Sequence, residues 1–145
     1  MKYTIIIDEN REEEILIYAH EKTLLIEEIE KLILTESVEL IGYKEKEIVK
    51  ILLADVYCFN IENNKIYAIL QNEKLQLKQR LYEVEKILDE SFVKINQSCI
   101  VNIKKIERFD ASFSGSLLVI LKNGYKDYVS RRQLKIVKER IGLKK

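Results

Sequence analysis

A chain of 145 residues with 47% apolar side chains carries enough hydrophobic material for one domain, or for a small domain with an N-terminal extension. Its two cysteines, Cys58 and Cys99, both sit inside apolar runs, which fits buried free thiols in a reducing cytosol better than a bridge or a metal site, and no disulfide framework is needed; no run is long enough to cross a bilayer and no cationic-then-apolar leader opens the chain, so a cytoplasmic protein is expected. The net charge is only +1, yet residues 1–48 hold six basic against thirteen acidic side chains and residues 92–145 hold thirteen against four, a gradient that suits a polyanion at the C-terminal third unless folding interleaves the charges.

In chain order, residues 2–8 read as a strand, and a second short β-type run follows at Ile15 to Ala19 after a polar turn. From Thr23 the period changes: Leu25, Ile29, Leu32 and Ile33 recur at three- and four-residue intervals among Glu27, Glu28, Glu30 and Lys31, the pattern of an amphipathic helix. Its apolar stripe needs cover, from the two strands before it or from a second copy of the chain. His20 is the only histidine and is expected at the surface.

Near Ser37 the pattern returns to β. Strands are expected at Val38 to Tyr43, Ile48 to Leu53, Asp55 to Ile61 and Lys65 to Leu70, and the dipeptide Asn63-Asn64, tolerant of positive φ, predicts a tight hairpin exposing Asn63, Asn64 and Lys65. Residues 73–78 make one more strand. Leu77, Leu81, Val84, Ile87 and Leu88 then mark a short helix that delivers the chain to residues 92–106, FVKINQSCIVNIKKI.

In that stretch alternation puts Phe92, Lys94 and Asn96 on one face and Val93 and Ile95 on the other. A polar knuckle at Asn96, Gln97 and Ser98 follows, and then Asn102, Lys104 and Lys105. Amides and cations so crowded suit a surface that tracks phosphates and reads base edges; an ordinary β-turn with a solvated rim fits the same residues. Beyond it come strands at Ile106 to Asp110, Leu117 to Leu121 and Tyr125 to Val129, a Ser/Gly loop at 112–116, a hairpin at Asn123-Gly124, and a closing helix with Leu134, Val137 and Ile141 inward. Ser130 is expected to cap that helix. Arg131 and Arg132 at its start would oppose the helix dipole unless an anion lay against them.

These spaced residues together resemble the LytTR DNA-binding domain, the output domain of many bacterial regulators. The family pattern reads approximately F-x-R-x-H-[RK]-S-x-x-V-N, then an L-x-N-G hairpin, then V-S-R-R. Phe92, Ser98, Val101, Asn102, Leu121, Asn123, Gly124, Val129, Ser130, Arg131 and Arg132 match it, over roughly residues 38–142. The resemblance implies a mainly β, α+β fold of antiparallel sheets with short helices, whose loops enter successive major grooves of a duplex. It divides the chain into a small strand-helix segment at 1–37, for dimerisation or regulation, and a DNA-binding domain at 38–145.

Carried over by position, base and backbone contacts fall on Asn64 with Lys65, on Asn96 and Gln97, and on Arg132. Lys94 stands where the family usually has arginine and Asn96 where it often has histidine; lysine keeps the charge but loses the bidentate fork, so the base read there is open. The expected DNA-binding set is Asn64, Lys65, Lys94, Asn96, Gln97, Ser98, Lys104, Lys105, Arg131 and Arg132. Only 37 residues precede the domain, too few for a receiver, so phosphorylation control is not expected. Candidate partners are double-stranded DNA with promoter repeats and, through the N-terminal segment, a second copy of the chain as a homodimer; similarity to the short members of the family implies a small inhibitory membrane protein as well. The alternative is a protein-interaction module that binds an acidic or membrane-associated partner without reading DNA. Lacking a glycine-rich phosphate loop or a metal-spaced cluster, the chain is expected to be neither an enzyme nor a cofactor binder.

Overall fold

A computed structural model describes residues 1–37, 39–112 and 115–142. Val38, where the first strand is expected to begin, and residues 113 and 114 of the expected Ser/Gly loop lie outside that set.

The helix expected near the N-terminus is present as α1, Leu24–Ser37. The two strands expected ahead of it are not formed. Residues 1–22 adopt neither helix nor strand, and Ile5, Ile6, Ile7, Leu16 and Tyr18 are exposed. Nor is the stripe of α1 covered by its own chain: Ile29 is half-buried, whereas Leu25, Leu32 and Ile33 stand in solvent.

Seven strands then form one antiparallel sheet. They are β1 (Glu39–Lys44), β2 (Glu47–Leu52), β3 (Cys58–Glu62), β4 (Lys65–Ile69), β5 (Lys74–Leu77), β6 (Phe92–Asn96) and β7 (Cys99–Asn102), in the spatial order β2-β1-β5-β4-β3-β7-β6. A second sheet of three strands, β8 (Ile106–Asp110), β9 (Leu118–Leu121) and β10 (Lys126–Tyr128), has β9 at its centre. Two further α-helices lie among the described residues, α2 (Leu81–Ile87) and α3 (Leu134–Arg140).

Two cores sit on the two faces of the larger sheet. On one face Phe59, Leu75, Phe92 and Ile100 pack with Leu81 and Val84 of α2. On the other, Cys58, Val93, Ile95, Cys99 and Val101 meet Val119 and Leu121 of β9 and Val137 of α3. This explains why β7 reads as an unbroken apolar run: its side chains alternate between two interiors rather than between interior and solvent. The cysteines are free and buried, as expected. A hydrogen bond with Cys99, and then burial, push the Cys58 thiol upward.

Buried amides lock the layers together. Asn102, 2% exposed, donates from Nδ2 to the carbonyl of Val56 at 2.9 Å and accepts the Lys104 amide at 3.1 Å. Asn123 donates to the Leu70 carbonyl at 3.0 Å, tying the second sheet to the first. The expected Asn123-Gly124 hairpin forms with Gly124 at φ 89° and a hydrogen bond from its amide to Leu121, a type I turn relaxed by a left-handed glycine.

Candidate nucleic-acid interface

Three turns from separate parts of the chain come together at one end of the larger sheet. The first joins β3 to β4. Glu62 pairs with Lys65, so Asn63 and Asn64 form a two-residue loop, with φ of 51° and 62°. Left-handed values at both positions are those of the type I′ turn that asparagine favours, so the dipeptide alone forecast the geometry. The second turn joins β6 to β7 through Gln97 and Ser98, both exposed, with Asn96 paired to Cys99. Because β3 and β7 are antiparallel neighbours and the Ile61 amide donates to the Ser98 carbonyl at 2.9 Å, these two turns leave the same end of the sheet.

The third element is the Arg131-Arg132 turn between β10 and α3. The Ser130 amide donates to the Ile95 carbonyl at 2.8 Å, which sets both exposed arginines beside the knuckle. Ser130 does not cap the helix. Its carbonyl instead accepts the Gln133 amide at 3.1 Å, closing a turn over the arginines, and α3 begins a turn later than expected, after Gln133.

Asn96 departs most from the alternation read in the sequence. A register shift between Lys94 and Asn96 interrupts the β6–β7 ladder. The irregularity turns Asn96 away from the face shared by Phe92 and Lys94. Its Nδ2 donates to Asp127 Oδ2 at 3.1 Å and to the Tyr128 carbonyl at 2.9 Å, while its Oδ1 accepts the Ser98 amide at 2.8 Å. Both donors of the amide are thereby used inside the protein. Asn96 clasps the knuckle to β10, and Gln97 is the amide left facing outward.

The remaining expected residues divide. Lys65 is exposed at the first turn. Lys94 is set back toward α2, where its Nζ lies 3.8 Å from Glu85 Oε2. Lys104 and Lys105 do not join the others. Strand β7 carries the chain away from the knuckle, at about 3.3 Å per residue, and the two lysines follow its far end in a 3-10 turn at Ile103–Lys105. There Lys105 lies 5.0 Å from the ring centre of Tyr57. A strand separates the two ends of this stretch in space, although they are close in sequence.

Two cations were passed over in the sequence. Lys126 is exposed on β10, two residues and hence one face-repeat from exposed Tyr128, and Lys135 is exposed one turn beyond Arg131 and Arg132. The period-2 pattern of Lys126 and Tyr128 was the available signal. Carboxylates near this end are engaged. Glu62 accepts Lys74 Nζ at 2.6 Å and Asn60 Nδ2 at 3.0 Å, and these bonds, the lysine's first, hold its carboxyl below the usual range. Asp127 accepts both Asn96 and the Tyr128 amide. Beneath them Asn60 Nδ2 also reaches the Tyr125 hydroxyl at 3.1 Å, and burial pushes that phenol upward. Among the described residues no cluster of His, Cys, Asp and Glu could hold a metal, and no helix is long and apolar enough to cross a membrane.

A two-sheet antiparallel fold presenting strand turns at one basic end is the architecture of a β-type nucleic-acid-binding domain. Residues 46–142 match the LytTr DNA-binding domain, and the chain belongs to that family, which is not enzymatic. It is 42% identical over 107 residues to uncharacterized HTH-type transcriptional regulators of Staphylococcus aureus strains bovine RF122 and NCTC 8325, covering 74% of this chain and 73% of each relative. The fold is similar to that of a LytTr DNA-binding domain from Bacillus cereus, with TM-score 0.68 and 19% identity, covering 72% of this chain and 97% of that one. Ahead of the matched segment the chain carries α1 and β1.

Proposed function

We propose that the chain is a sequence-specific double-stranded DNA-binding regulator of transcription, which lays its three-turn end against a duplex and inserts the turns into successive major grooves. The observation that carries this reading is the shared end of the β3–β4, β6–β7 and β10–α3 turns, joined by the Ile61 to Ser98, Ser130 to Ile95 and Asn96 to Tyr128 hydrogen bonds. A major groove about 12 Å wide admits a two-stranded ribbon. Asn64 and Gln97 are the outward amides suited to base edges; Lys65, Lys126, Arg131 and Arg132 are the cations suited to phosphates. Two copies on adjacent promoter repeats would extend the contact.

Selection of duplexes from a random library, followed by titration of the selected site, tests the assignment. Arg132→Ala is expected to weaken every sequence by roughly tenfold or more. Gln97→Ala is expected to relax the preference at one or two base pairs, each worth about 1–3 kcal/mol. Wild-type affinity for the Arg132 variant would remove the arginine turn from the interface.

A further inference from the structure

The N-terminal residues present apolar surface and unpaired backbone that their own chain leaves open. Among the described residues, the one backbone–backbone hydrogen bond made by residues 1–22 joins the Arg11 amide to the Asp8 carbonyl. Residues 3–7 and 15–18 flank each other across a hollow whose apolar wall is Ile6, Ile7, Leu16 and Tyr18 and whose other wall is the charged turn from Asp8 to Glu14, and Tyr3, Ile7 and Tyr18 are 86%, 88% and 94% exposed. With Leu24, Leu25, Leu32 and Ile33 of α1 added, the exposed apolar side chains of this region amount to on the order of 1,200 Å² per chain. A stable interface of standard size needs about 800 Å² from each partner.

We infer that residues 2–8 form the core of a two-fold interface between two copies of this chain, pairing antiparallel about Ile5. The register follows from charge. Centring the pair on Ile5 sets Lys2 of one copy opposite Asp8 of the other, Tyr3 opposite Ile7 and Thr4 opposite Ile6. Opposite charges and aromatic–β-branched pairs are the cross-strand neighbours that stabilise a ladder. The same register sends the two acidic turns, each with Glu9, Glu12, Glu13 and Glu14, to opposite ends of the pair, so their repulsion is smallest. Three consecutive isoleucines make both faces of the strand apolar. In the dimer the two α1 helices, one from each copy, would each cover one of these faces. The isologous arrangement is that of most homodimers, and it stands whether or not the basic end binds DNA.

Sedimentation of the full chain without DNA tests the interface, because a dimer weighs twice the 17.2 kDa of the chain. Ile5→Lys is expected to sediment as a monomer. Lys2→Asp is expected to weaken the dimer about tenfold, and adding Asp8→Lys to restore it. Ile5→Cys, at the two-fold, is expected to form a disulfide-linked dimer on mild oxidation, since Cys58 and Cys99 are buried. A wild-type monomer at tens of micromolar, or a dimer unaffected by Ile5→Lys and by the charge reversal, would overturn the inference. DNA affinity of the monomeric variant is measured separately, so loss of pairing and loss of duplex binding are distinguished.

Discussion

Asn102, Asn60 and Asn96, like Asn123, hold elements of this protein together. Asn102 is buried with both ends of its amide bonded to backbone, so truncation leaves the Val56 carbonyl and the Lys104 amide without partners. Asn102→Ala is expected to lower stability by about 2 kcal/mol in urea unfolding. Asn60 works with Glu62 and Lys74 beneath the first turn. Glu62 has a depressed carboxyl pKa in the folded state, so its bonds are present above the pKa of the unfolded chain and are lost as pH falls through the lower folded value. An NMR titration is expected to find Glu62 protonating below the ordinary glutamate range, and Lys74→Ala to return it toward that range. Asn96 is the third. A sequence reading assigned it to bases because it stands in a polar knuckle, but an irregularity in the strand ladder decides where its amide points.

Among the elements, β1 is packed tightly between its neighbours β2 and β5. Gly42 is buried in β1, where an added Cβ would stand 2.6 Å from Ile51 Cδ1 and 2.8 Å from Leu75 Cβ. Gly42→Ala is expected to cost about 1–3 kcal/mol, visible as a lower denaturant midpoint with unchanged slope. The hairpins at Asn63-Asn64 and Asn123-Gly124 were legible because their turn chemistry is local. The 3-10 turn carrying Lys104 and Lys105 was not, since the Asn102 side chain that caps it is itself held by Val56, 46 residues away.

For the whole molecule, the charge gradient along the chain becomes a gradient in space only in part. Lys65, Lys126, Arg131 and Arg132 belong to the turns and the edge strand at one end, while Lys104 and Lys105 lie beyond the other end of β7. About four phosphate contacts per chain give a slope of log affinity against log salt near −3 to −4. Replacing Lys104 and Lys105 by alanine is expected to leave that slope unchanged, whereas removing Arg131 and Arg132 is expected to flatten it by about 2. A slope altered by the Lys104 and Lys105 changes would mean that the duplex reaches the far end of the sheet.

The residues alone determined the apolar run of β7, the two asparagine turns, the buried thiols and the amphipathic period of α1, because each depends on near neighbours and on the partition of apolar side chains from water. Only the tertiary structure decided which polar groups remain available. Asn96 is consumed by β10, Lys94 is drawn to α2, and the N-terminal runs are left without a ladder, since a hydrogen bond or a covering layer depends on what the fold brings alongside.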